Sequence, residues 1–204
     1  MNYTPYIPKK AVMIDLETLD KRPGSVILSM AALSFRPLGE KSEMVSGDKV
    51  IAPNINLVLE YKTGQEHRSK SPSTIRWWEE QSVEAKRSVF SDKILRVDYN
   101  EGMRRFVDWL AAQAADGAEA IFACSPRFDV GIIENAMEDV YGKDNKGEFS
   151  GLPIPFHKEI DVRSLRGFVF GNRKLDWGTK HEALGDCVRQ ALEMQEVYKW
   201  RLTR

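Results

Sequence analysis

The chain has 204 residues, 42% of them apolar, and its 30 lysines and arginines are matched by 30 aspartates and glutamates. That length suits one well-buried domain over residues 1–204, the apolar content excludes a largely disordered chain, and zero net charge excludes a passive coater of nucleic acid held by a broad basic field. An enzyme acting on nucleic acid is not excluded, because bound cations can supply the positive charge at a phosphate.

In chain order, MNYTPYIPKK lacks the apolar segment of a secretory leader, and no apolar run approaches the ~18 residues that cross a membrane. A cytoplasmic location without membrane contact is expected. Residues 11–17, an apolar run ended by acids, predict a buried strand. Residues 26–35, after the turn signal Pro23-Gly24, predict the next strand. Alternation of Ile55, Leu57 and Leu59 predicts a third over 54–61. The first 60 residues then form a meander around a central first strand. Residues 62–70 are polar and basic and read as a loop. Ser71-Pro72 opens a helix through Trp77 and Trp78, and Met103, Phe106, Val107, Leu110 and Ala114 mark an amphipathic helix over 100–115. A short buried strand is expected at 120–124. A further helix begins with or just after Asp129, residues 142–151 read as a loop, and a last helix covers about 180–200. Strands first and alternating helix and strand afterwards predict an α/β protein with a mixed sheet. Cys124 and Cys187 form no metal-type pair and read as small buried side chains in a reducing compartment.

The candidate chemistry lies in five polar residues set in or beside apolar stretches: Asp15 and Glu17 in AVMIDLET, Asp129 in FACSPRFD, and His181 with Asp186 in HEALGD. A carboxylate buried there without a partner costs several kcal/mol or shifts its pKa upward, so such placement points to a bound cation. Oxygen ligands without a cysteine cluster point to Mg²⁺ or Mn²⁺ rather than zinc. Asp15 and Glu17, two apart on a strand, project from one face at a strand end, where ligands in α/β sheets collect. Asp129 alone reads more readily as a helix N-cap than as a ligand. His181 and Asp186, five apart, are not an i,i+4 zinc pair; the histidine sits at the helix entrance, leaning over Asp186.

Together, D-x-E, F-D before a helix and H-x-A-x-x-D resemble the DEDD superfamily of 3′–5′ exonucleases in its histidine-bearing (DEDDh) branch. STIRWWEEQSVEAK, EIDVRSL and HEALGDCVRQA look like the subgroup of phage-type 3′–5′ exodeoxyribonucleases and mycobacterial-type 3′–5′ exoribonucleases. The resemblance implies a ribonuclease H-like fold, a central mixed β-sheet flanked by α-helices. It implies two Mg²⁺ or Mn²⁺ ions held by Asp15, Glu17, Asp129 and Asp186, with Asp15 shared between them, and His181 as the general base that activates water. Leu16 and Thr18 would floor the terminal nucleotide, and Trp77 and Arg163 would touch the substrate, a single-stranded 3′ end in a bacterial or phage-infected cytoplasm. The phage-like tryptophan helix favours DNA; RNA is the alternative, a catalytically idle binding domain a more distant one, and a homodimer is left open. One departure stands out: many members carry a glycine-containing W-x-x-G-x-x-F-D at the second motif, where this chain has Pro126 and Arg127.

Two further features stay open on the residues themselves. Adjacent helix positions point about 100° apart, so one of Trp77 and Trp78 can stack on a base while the other enters the core, or both can be core. Lys62, His67, Arg68, Lys70, Arg163, Arg166 and Arg173 could track phosphates or be solvated surface.

Overall fold

The computed structural model describes residues 6–142, 151–171 and 173–203. A first strand, β1 (Ala11–Thr18), is followed by β2 (Ile27–Phe35), a small hairpin of β3 (Val45–Ser46) and β4 (Lys49–Val50), and β5 (Asn54–Val58). Helices α1 (Pro72–Glu79), α2 (Val83–Phe90) and α3 (Tyr99–Ala115) lead to β6 (Ala120–Ala123) and α4 (Pro126–Tyr141). Short β7 (Glu159–Asp161) runs directly into α5 (Val162–Phe170), and α6 (Ala183–Leu202) closes the described chain.

Five strands form one mixed sheet in the order β5-β2-β1-β6-β7, with β1 in the middle as expected. β1 pairs antiparallel with β2 and parallel with β6, whose parallel neighbour is β7. β1 is buried along its whole length because helices cover both faces, which is why its sequence is a continuous apolar run. Side chains alternate across it. Val12, Ile14 and Leu16 enter a core shared with Met103, Phe106 and Leu110 of α3 and Ile132, Ile133 and Ala136 of α4. Ala11 and Met13 face the other layer, against Cys187, Val188, Ala191 and Met194 of α6. Asp15 and Glu17 continue that second face, so the alternation that packs α6 also turns two carboxylates toward it.

The paired ladder between β1 and β6 ends at Ile14↔Ala123. Asp15 to Thr18 therefore run on past the end of β6, paired only with β2, and the register on that side slips between Glu17 and Thr18. An irregularity of this kind re-aims side chains at a strand end. The gap beside the overhang is filled by the start of α4.

Several expectations need correction. The strand predicted over 54–61 stops at Val58, and Glu60 instead bonds to Val97. The tryptophan segment is two helices, because Ser82 caps a new one by accepting from the Ala85 N–H. α4 begins at Pro126, three residues before Asp129, with proline preset for a first helical turn. The N-cap is Ser125, so Asp129 is not the cap. The last helix starts at Ala183, which leaves His181 outside it. β7 and α5 were not predicted. The predicted loop over 142–151 falls, from 143 to 150, outside the described residues. Cys187 is buried as expected, whereas Cys124 is half-buried.

Candidate active site

Past the end of β6, all nine residues to which the resemblance gives a site role line one cleft of about 630 Å³. They come from widely separated parts of the chain. Asp15, Leu16, Glu17 and Thr18 lie on the overhanging end of β1, Trp77 on α1, Asp129 in the first turn of α4, and Arg163 on α5; His181 and Asp186 flank the start of α6.

Asp129 crosses from the other helical layer by binding the sheet itself. Its Oδ1 accepts the Leu16 N–H at 3.2 Å, a donor that a longer β6 would have taken. Burial pushes its carboxyl up to about 7, against opposing hydrogen bonds from backbone N–H groups of Ser125 and Leu16 and the attraction of Arg163. Asp15 and Glu17 are held well above the usual carboxylate range, first by burial and then by the other carboxylates facing them. Gln190 donates to Asp15 Oδ1 at 2.8 Å. An ionised carboxylate only accepts, so this bond turns the Gln190 Oε1 away, and that buried oxygen has no partner among the described residues.

At the start of α6, Glu182 accepts from the Gly185 N–H and caps the helix. His181 just before it has φ 61, the one non-glycine in the left-handed region among the described residues. That conformation costs on the order of 1–3 kcal/mol. It is held by the His181 N–H donating to Asp186 Oδ2 at 3.3 Å and by the Trp77 ring standing edge-on to the imidazole, with 4.7 Å between centroids. Partial burial lowers the His181 pKa, and Lys174, Arg189 and Lys180 add to that, against the pull of Asp186. That shift favours the neutral imidazole, which can accept a proton or bind a cation.

One oxygen each from Glu17 and Asp186 and one ring nitrogen of His181 lie within 4.8 Å of one another. Close-set carboxylates whose mutual repulsion and burial oppose ionisation, with an orphaned amide oxygen beside them, fit hard divalent cations. The sequence reading missed Arg189 and Gln190, which also line the cleft. Their offsets of three and four from Asp186 place them on its helix face, a signal that was available. Lys21 and Lys174 are further lining cations that no pattern marked.

The two tryptophans divide. Trp78 is 3% exposed and its Nε1 donates to the Thr18 carbonyl at 2.9 Å, whereas Trp77 is 38% exposed in the cleft. Two of the basic candidates are engaged inside the protein instead of being left for phosphates. Arg68 is fixed by the Ser25 and Pro23 carbonyls, Tyr99 and Asp139, and Arg166 by Glu193.

A mixed sheet with helices on both faces and convergent acids and histidine at the end of its central strand is the arrangement that the resemblance to DEDDh 3′–5′ exonucleases implies. The Rv2179c-like 3′–5′ exoribonuclease domain matches residues 10–198, and the chain belongs to that family. It is 24% identical over 207 residues to an exodeoxyribonuclease of Enterobacteria phage T4, covering 93% of this chain and 89% of that protein. Among solved structures, the nuclease domain of 3′hExo, a DEDDh family member bound to rAMP, superposes with TM-score 0.55 at 13% identity, covering 95% of this chain and 92% of that one. Apo exonuclease I superposes with TM-score 0.53 at 11% identity over 96% of this chain, which spans only 45% of that longer protein. No helix among the described residues is long and apolar enough to cross a membrane.

Proposed function

We propose that this 3′–5′ exonuclease shortens single-stranded DNA from its 3′ end, releasing nucleoside 5′-monophosphates, and that residues 1–204 form one exonuclease domain. Asp15, Glu17, Asp129 and Asp186 would hold two Mg²⁺ or Mn²⁺ ions. Such ions, when bound, activate a water and stabilise the leaving 3′ oxygen. The observation that carries the reading is the convergence of four carboxylates, from β1, α4 and α6, with a histidine at the edge of the same cleft.

We read the chain's own part from where its residues line the cleft. Leu16 and Thr18 floor the terminal nucleotide, Trp77 offers an indole face to a base, and Arg163 lies beside Asp129, where a phosphate would pass. His181 takes the proton of the attacking water. The resulting hydroxide bonds to phosphorus as the P–O3′ bond breaks, leaving a 5′-monophosphate and, with a proton taken by the leaving oxygen from solvent water, a new 3′-hydroxyl.

DNA is favoured by the phage relative, which aligns along nearly its whole length. The family's description as exoribonuclease supports RNA as the second substrate reading. Equal sequences of 5′-labelled single-stranded DNA and RNA, incubated with Mg²⁺, Mn²⁺ or EDTA, separate the two. The expected result is a stepwise ladder on DNA that EDTA abolishes. Preference for RNA reverses the substrate assignment, and equal cleavage of circular single strands removes the exonuclease reading altogether. A second site reading, His181 as a metal ligand, draws on its closeness to Glu17 and Asp186. Loss of Mn²⁺ binding in His181→Ala would favour it.

A further inference from the structure

We propose that Arg189 is a positioning residue for the carboxylate of Asp186, setting the direction from which that oxygen ligand meets its cation; the inference rests on the metal-site reading above. Arg189 lies one turn after Asp186 on α6 and is 6% exposed. Its Nε and Nη2 both donate to Asp186 Oδ1, at 3.1 and 2.5 Å. That two-point grip needs the planar fork of a guanidinium, which a lysine ammonium lacks. With Oδ1 so engaged, Oδ2, which among the described residues accepts only the longer bond from the His181 N–H, is the oxygen left for the cation.

Arg189 is itself held from behind. Its Nη1 donates to Glu193 Oε1 at 3.1 Å, the oxygen that also accepts the Leu175 N–H at 3.1 Å. Glu193 Oε2 accepts from Arg166 Nη1 of α5 at 2.7 Å. Asp186, Arg189 and Glu193 fall at spacings of three and four along one face of α6, so a continuous buried line of charges connects Asp186 to α5 and to the segment leading into His181. Two positive and two negative groups balance within it. Stability alone is a poor reason for such a line, because apolar residues of similar volume often serve as well or better. Its geometric output is a carboxylate fixed at one oxygen in a cleft where neighbouring carboxylates would otherwise push it aside.

Arg189→Lys keeps the charge and removes the fork. The expected result is a loss of about 10–100-fold in Mn²⁺ affinity, measured by calorimetry without substrate, and a similar fall in kcat with KM little changed. Arg166→Met is the comparison, since it breaks the same line two links away from Asp186. It should lower Tm at least as much as Arg189→Lys while leaving Mn²⁺ affinity unchanged. If Arg189→Lys does not fold, Arg189→Gln, which retains an N–H donor at that point, is titrated in its place with the same loss expected. Wild-type Mn²⁺ affinity in the Arg189 variant, or an equal loss in Arg166→Met, overturns the proposal while leaving the metal site standing. Wild-type protein that binds no Mn²⁺ would overturn both.

Discussion

Asp15 and His181 should fail in different ways when replaced. Asp15 sits where burial and the carboxylates of Asp129, Asp186 and Glu17 all oppose its charge. Asp15→Ala should therefore abolish turnover and leave the metal-free protein as stable as wild type or more so, because a repelling charge has gone. Thermal melts in EDTA check the second half, and near-wild-type activity would sink the site assignment. His181→Ala should lower kcat by about 10²–10⁴, the usual loss of a general base, with Mn²⁺ affinity little changed. In the wild type, burial withholds the proton from this imidazole, so the acid limb of kcat against pH should fall below the unperturbed ~6.5. That limb should vanish in the variant.

Along α1 the two neighbouring tryptophans make opposite predictions. Trp78→Ala opens a hole among Leu19, Val26 and Leu28, a loss of about 3–5 kcal/mol by denaturant titration. Trp77→Ala should leave that stability nearly unchanged and raise KM for oligonucleotide by roughly 5- to 100-fold, from base stacking of ~1–3 kcal/mol. An unchanged KM would make Trp77 a prop for His181 alone. The same contrast shows what a sequence discloses about elements. The 100° offset limited the tryptophans to two arrangements, but choosing between them needed the position of Thr18. Strands β1 and β2 and helix α3 were legible because burial on one or two faces writes a period into the chain. β7 and α5 were not, because β7 is three residues long and joins its helix without a turn residue. Glu17 and Asp186 were legible as carboxylates in apolar settings. The partners of Asp186 on α6 were overlooked because a charged residue at helical spacing does not disclose its burial, and the fold buries both Arg189 and Glu193.

For the molecule as a whole, the strained site should appear as a pH dependence of folding. A carboxyl whose folded pKa is raised binds more protons in the native state than when unfolded. Its contribution is therefore favourable at low pH and fades as pH rises from about 4 toward the folded value. For Asp129, raised to about 7, that amounts to on the order of 4 kcal/mol, and Asp15 and Glu17 shift in the same direction. In EDTA the protein should melt several degrees higher at pH 5.5 than at pH 8, and Mn²⁺ should recover the difference at pH 8 by binding the native state. A flat pH profile in EDTA would argue that the carboxylates do not share one buried site. The overhang of β1 has another consequence. Asp129 is moored by its own oxygen to the Leu16 amide of the sheet, so its carboxylate is tied to β1 as well as to the helical turn that Pro126 opens. The departure at Pro126 and Arg127 therefore leaves the carboxylate that follows it at anchor on the sheet.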